Sequence, residues 1–176
     1  MTVPDLSDPA SGAADRLQKS VSDLLPAIAA RAAEIEAARR LPADLATALS
    51  RAGVFRMLVP RNLGGLELPP ALAMQMLEQL GAADASVGWC AMIGATSAIP
   101  SAYLEPAVAR EIYGNPETIP GGVYAPMGRA VLEGDYYRLS GRWQWASGSA
   151  NCHWLMGGAL VLQEGARELL CLGHDP

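Results

Sequence analysis

Glu133-Gly134-Asp135-Tyr136-Tyr137-Arg138-Leu139-Ser140-Gly141-Arg142-Trp143-Gln144-Trp145-Ala146-Ser147-Gly148-Ser149 is the stretch on which the fold turns. Gly134-Asp135 between two apolar-alternating runs is a hairpin signal. Past the turn, Tyr137, Leu139 and Gly141 alternate with Tyr136, Arg138 and Ser140, the pattern of a half-buried strand. Two of the four tryptophans follow, then small polar residues, and no charge occurs from Trp143 to Gln163. Continued as a strand, the segment puts Trp143 and Trp145 on one face, unless a bulge intervenes. Indoles there either fill a core or wall a pocket for a flat aromatic ligand. Small neighbours let backbone N–H groups and a hydroxyl approach polar ring atoms.

Downstream, residues 153–162 and 168–172 read as further strands around a turn at Gln163-Glu164-Gly165-Ala166. Upstream, the texture changes near Pro116, and everything before it is helical. Leu17, Val21, Leu24, Ile28, Ala32 and Ile35 recur at helical spacing, with Pro26 expected to kink the helix or mark a restart. Helices are expected from Pro42 to Gly53, from Pro70 to Ala83, from an Asp84 or Ser86 cap to about Thr96, and from Pro106 to Tyr113. About five helices then about five strands make an α+β chain: residues 1–14 a loose tail, 15–116 an all-α domain, 117–176 an incomplete antiparallel β domain. About 60 strand residues are few for a sheet that must cover its faces and edges, so a larger protein cut short is expected. The apolar strand from Trp154 to Leu162 is expected to promote aggregation.

The 176 residues are 51% hydrophobic and 18% charged, too apolar for disorder. A formal net charge of −5, with arginines scattered and Lys19 the sole lysine, gives no basic face for nucleic acid and no polybasic membrane patch. Ala85 to Leu104 is uncharged, but its Gly, Ser, Thr and Pro content points to a buried helix plus a loop rather than a membrane span. Three separated cysteines and no signal peptide at the start fit a cytoplasmic, reduced protein. Phosphate-binding, dinucleotide, zinc-protease and nucleophile-elbow motifs are missing. Cys152, His153, Cys171 and His174 are ligand types, but adjacent strand residues face apart, so no metal site is expected.

Five segments together carry a resemblance: Ala52-Gly53-Val54-Phe55-Arg56-Met57-Leu58-Val59-Pro60-Arg61, Leu63-Gly64-Gly65-Leu66-Glu67-Leu68, Ala83-Asp84-Ala85-Ser86-Val87-Gly88-Trp89, Ala125-Pro126-Met127-Gly128-Arg129-Ala130, and residues 139–149. In this order and spacing the chain resembles the N-terminal half of the acyl-CoA dehydrogenase-like flavoprotein superfamily, and more closely its flavin-dependent monooxygenases. The resemblance implies a helical domain, a β domain and a C-terminal helical bundle, usually in homotetramers, with the bundle beyond this chain. It implies FAD or FMN, delivered reduced by a separate flavin reductase, O2 adding at flavin C4a, and transfer of one oxygen atom to a small-molecule substrate.

Residue by residue, the resemblance assigns Trp145 to flank the flavin ring and Ser147, the one catalytic candidate, to lie near flavin N5. It assigns Val123 and Tyr124, before the Pro126 turn, to the flavin pyrimidine, Gly128 and Ala130 to the phosphates, and Trp89 and Thr96 to the substrate pocket. Gly128-Arg129-Ala130 and Trp145-Ala146-Ser147-Gly148 depart from the dehydrogenase pattern and favour the monooxygenase branch. Thr96 stands where phenol-hydroxylating members carry a His, and Thr does not deprotonate a phenol as imidazole does. The rival within the family is an acyl-CoA dehydrogenase, whose carboxylate base would lie beyond this chain; the rival outside it is a non-catalytic α+β remnant.

Overall fold

Six α-helices precede a four-stranded sheet in the computed structural model, which describes residues 9–163 and 166–173, with side chains over 12–161. Helix α1 (Pro9–Ala30) starts before Asp15, so residues 9–14, expected in a loose tail, are helical. It runs through Pro26 without a restart and breaks at Arg31, before α2 (Ala32–Ala38). Pro26 and Ser22, whose carbonyl loses its N–H partner, both face solvent, while Leu17, Val21 and Ile28 stay buried on the inner stripe. Helix α3 (Ala43–Ala52) opens after Pro42 and closes at Gly53. Helix α4 (Pro70–Ala83) buries Ala73, Met76, Leu77 and Leu80. Asp84 caps α5 (Ala85–Thr96), its carboxylate accepting the Val87 N–H at 3.0 Å. Helix α6 (Pro106–Tyr113) ends at Gly114.

The main core joins these helices around Val21, Ile28, Leu49, Phe55 and Leu80. A fully buried leucine contributes about 1.5–3 kcal/mol relative to exposure. The apolar run Val54-Phe55-Arg56-Met57-Leu58-Val59 after α3 begins with a 3₁₀ turn, Val54–Arg56, and puts Val54, Phe55, Met57 and Val59 into the core. Arg56 is buried with them. Its guanidinium donates to the carbonyls of Tyr113 at 2.6 Å and Leu63 at 2.5 Å, the last residues of α6 and of a second 3₁₀ turn, Arg61–Leu63. Cations are favoured at such carbonyl ends.

Strand order is β2-β1-β3-β4, with β1 Pro120–Glu133, β2 Tyr136–Gly141, β3 Trp154–Gln163 and β4 Ala166–Gly173. The expected hairpin is present, Glu133 pairing Tyr136 across Gly134-Asp135. The expectation of a wholly antiparallel domain needs correction: the central pair, β1 with β3, is parallel. Residues 142–153 carry the chain from β2 past β1 to its far side, the crossover that a parallel pair requires. Strand β3 lies between β1 and β4, which places the suspected aggregation segment inside the sheet rather than on an edge. Strand β2 is an edge and almost wholly exposed, only Tyr137 being half-buried. The expected turn at Glu164-Gly165 lies outside the described residues. Among the described residues no helix is long and apolar enough to cross a membrane.

Candidate functional site

The crossover decides where the tryptophans go. Trp143 turns back over the sheet, and its indole lies against Gly128 of β1, Gly141 of β2 and Gly157 of β3, where a Cβ on any of the three would collide with or crowd the ring. Its Nε1 donates to Gly158 O at 2.8 Å. Between Val123 and Gly128, β1 takes five residue steps where β3 takes two, from Gly157 to Ala159. The surplus forms the Tyr124–Met127 bend, which folds over Gly158 so closely that the Tyr124 and Ala125 carbonyls occupy the space of a side chain there.

Trp145 does not share the face of Trp143, as strand alternation had suggested. Neither residue is in a strand. Trp145 adopts φ +64 and is 86% exposed. A left-handed non-glycine residue costs of order 1 kcal/mol, held here by a tight turn in which Ser147 N–H donates to Trp145 O at 2.8 Å. The turn continues as the 3₁₀ segment Ser149–Asn151, whose Asn151 Nδ2 donates to Leu41 O at 3.0 Å. That bond ties the loop to the junction between α2 and α3.

Two hydrogen bonds join helix α5 to the β region. Trp89 Nε1 donates to Ser147 Oγ at 2.9 Å, and the Ser147 hydroxyl then has Trp145 O at 3.5 Å as an acceptor. Tyr124 Oη donates to Thr96 O at 3.0 Å, near the carbonyl end of α5. The Thr96 hydroxyl donates back to Met92 O at 2.8 Å, so it is engaged within its own helix. His153 begins the parallel pairing with two bonds: Ile119 N–H donates to its Nδ1 at 3.0 Å, and its own N–H donates to Ile119 O at 2.9 Å.

Between α2, the start of α5 and the 146–151 loop lies a cavity of about 610 Å³, in the range usual for small-molecule sites. Trp89 and Ser147 line it together with Arg39 and Arg40. Cys90 also lines it and, with Cys152, flanks Gly148; neither cysteine is in a disulfide. Burial, with the Cys90 charge second, pushes the Cys152 thiol up to about 11. Burial and then the Asp84 charge push Cys90 up as well. Such thiols are poor nucleophiles at neutral pH. Among the described residues no three His, Cys, Asp or Glu side chains are grouped to hold a metal. Cys152 and His153 engage different partners, and the side chains of Cys171 and His174 lie outside the described residues.

Of the residues singled out in the sequence, the structure brings together Trp89 with Ser147, and Tyr124 with Thr96. Val123 is half-buried, Tyr124 and Pro126 are exposed on the bend, and Trp145 stands beside Ser147 facing solvent. Gly128 is covered by the Trp143 indole, and Ala130 is fully buried with Ala159 and Val161, so neither is open at the surface. The contribution of Arg39, Arg40 and Leu41 was not legible. Its single signal in sequence is Asn151, an amide that needs a partner.

The family model for the acyl-CoA dehydrogenase N-terminal domain matches residues 13–106, more than half of the chain. The flavin-dependent monooxygenase oxygenase subunit HsaA of Mycobacterium tuberculosis is 33% identical over 147 residues, which cover 83% of this chain and 37% of that protein. Indole-3-acetate monooxygenase of Pseudomonas putida is 38% identical over 122 residues, 68% of this chain and 31% of that protein. The crystal structure of the HsaA monooxygenase from M. tuberculosis superposes with a TM-score of 0.86 at 31% identity, covering 92% of this chain and 43% of that one. The chain therefore spans about a third of the length of the curated relatives it matches. The family match runs from α1 to the start of α6, and the chain belongs to the acyl-CoA dehydrogenase N-terminal domain family.

Proposed function

We propose that this chain is the N-terminal portion of the oxygenase component of a two-component flavin-dependent monooxygenase. The observation that carries the reading is the Trp89–Ser147 hydrogen bond beside an exposed Trp145. With Trp89 Nε1 supplying the proton between them, Ser147 keeps its own for an acceptor in front of it. Its one acceptor among the described residues, Trp145 O, is at 3.5 Å, long for an O–H···O bond.

The donor set fits a flavin. Trp145 offers an open indole face for a flat ring, Ser147 a hydroxyl for a ring nitrogen, and Val123, Tyr124 and Pro126 an edge next to it. Gly128 and Ala130 back that edge from within the sheet. Reduced flavin, FAD or FMN, supplies the electrons with which O2 is divided between substrate and water. The chain's residues fix the ring with few donors and cover it with apolar surface that keeps water away. Trp89 and Thr96 border the substrate on the α5 side, and the two hydrogen bonds from α5 to the β region hold that border in register. The similarity to oxygenase subunits implies a separate reductase as partner, the family resemblance implies a homotetramer for the whole protein, and the separated cysteines fit a cytoplasmic, reduced protein.

Anaerobic titration of reduced FMN and FAD into the full chain, followed by tryptophan fluorescence and the flavin difference spectrum, tests the reading. Quenching that Trp145→Leu removes is the expected result. Flavin spectra unchanged by saturating protein would sink it.

A further inference from the structure

A second, smaller cavity of about 50 Å³ lies where α6 and the 3₁₀ turn Ile99–Tyr103 meet the first residues of β1 and β3. Its walls include Leu104, Ile112, Tyr113, Leu155 and Met156. Every residue of the lining is buried or half-buried, and none is charged. The hydroxyls in it are already committed: Ser97 Oγ donates to Ile93 O at 2.8 Å, and Tyr113 Oη donates to Ser97 O at 2.6 Å. Burial, with the Tyr124 charge second, pushes the Tyr113 phenol up to about 12. On the sheet side the backbone belongs to the ladder, Pro120 pairing with Trp154 and Gly121 with Leu155. A void holds a water when it offers at least about 10–15 Å³ and two to four polar partners. Here the volume suffices, but the hydroxyls have no proton left to offer. Close-packed interiors leave few spaces of this size.

We propose that this cavity is dry and takes up one small apolar molecule of the size of dioxygen. Transfer of an apolar solute from water into such a space is favourable without any directional contact, and dry apolar cavities bind xenon and similar guests. Its position gives the guest a use. Ser97 directly follows Thr96, whose carbonyl holds Tyr124, and Gly121 lies two residues before Val123. The cavity therefore adjoins both elements that carry the Tyr124–Met127 bend. The apolar site stands on the cavity itself; calling it a reserve of dioxygen for the reaction rests on the monooxygenase reading above.

Dioxygen is paramagnetic, so proton relaxation reads its position directly. The full chain, free of flavin, is equilibrated with dioxygen under pressure, and its methyl proton relaxation is compared with that of a sample under nitrogen. The methyls of Leu104, Ile112, Leu155 and Met156 gain severalfold more relaxation than those of Ile28 and Leu49, which are fully buried in the main core. Leu104→Phe, at a half-buried position just after the 3₁₀ turn, fills the space and removes the excess at Ile112 and Leu155. Overhauser contacts between water and the Ile112 methyls are absent in the parent chain. Equal enhancement in the two sets of methyls, an excess that survives Leu104→Phe, or water contacts at Ile112 overturns the site. If the variant fails to fold, the two sets of methyls in the parent chain decide alone. Flavin binding without the excess removes this site and leaves the monooxygenase reading intact; the excess without flavin binding does the reverse.

Discussion

The Trp89 indole donates to the Ser147 hydroxyl at 2.9 Å, joining residues 58 apart in sequence across the boundary between α5 and the crossover loop. It orients a serine that nothing else in its own loop orients well, since the alternative acceptor, Trp145 O, lies at 3.5 Å. The bond belongs to the tertiary structure, and in the proposed function it links the substrate side to the flavin side in one contact.

A double-mutant cycle measures that link. Trp89→Phe keeps an aromatic wall but removes the donor, and Ser147→Ala removes the acceptor. Each variant weakens reduced-flavin binding several-fold, and together they lose less than the sum, with a coupling of about 1 kcal/mol. Strict additivity in the flavin dissociation constants would show that the two side chains act independently.

Trp145 combines a left-handed backbone with an almost fully exposed ring. Trp145→Gly removes the left-handed penalty and is expected to hold or raise stability by up to about 1 kcal/mol, while flavin quenching disappears. Thermal unfolding beside the flavin titration separates the two effects. A large drop in melting temperature would mean that the ring supports the fold instead.

The glycine floor under Trp143 is a packing demand. A Cβ at Gly157 would stand 2.8 Å from the indole, so Gly157→Ala costs about 1–3 kcal/mol. Gly81, inside α4, has nothing within 4 Å of the same added atom, and Gly81→Ala is expected to add up to about 1 kcal/mol through helix propensity. Urea midpoints moving in opposite directions for the two alanines are the predicted signature.

Alkaline pH probes the buried thiols. The folded-state value of Cys152, about 11, lies above the ordinary thiol value, so the neutral thiol is the form the fold prefers. Its contribution is full below pH 9 and is lost as pH climbs toward 11, for a total of about 2 kcal/mol. Cys90, raised in the same sense, adds to the fall. Melting temperature against pH is expected to drop over this window in the parent chain and to drop less in Cys152→Ala. Parallel curves would contradict the assignment.

What the residues announced by themselves was local. Pro42, Gly53, Pro70, Asp84 and Pro106 bounded helices because capping and fixed φ act within one turn, and Gly134-Asp135 made its hairpin for the same reason. The five spaced segments carried the resemblance, and three of them, from Ala52 to Trp89, lie within residues 13–106, which the family model matches. The early start of α1 was hidden because Pro9 reads equally as loop and as a first-turn residue.

The tertiary structure alone decided the rest. Strand alternation put Trp143 and Trp145 together; the fold separated them, because the glycines that receive Trp143 come from three strands and meet only after the sheet has paired. The parallel pairing of β1 with β3 was equally invisible, since periodicity records which face is buried and not the direction of a neighbour. The cavity, with Arg39, Arg40, Trp89 and Ser147 around it, draws on three separate segments, joined by Asn151 to Leu41 and by Trp89 to Ser147. Local residue preferences write the elements, and long-range hydrogen bonds and close packing choose which of their faces meet.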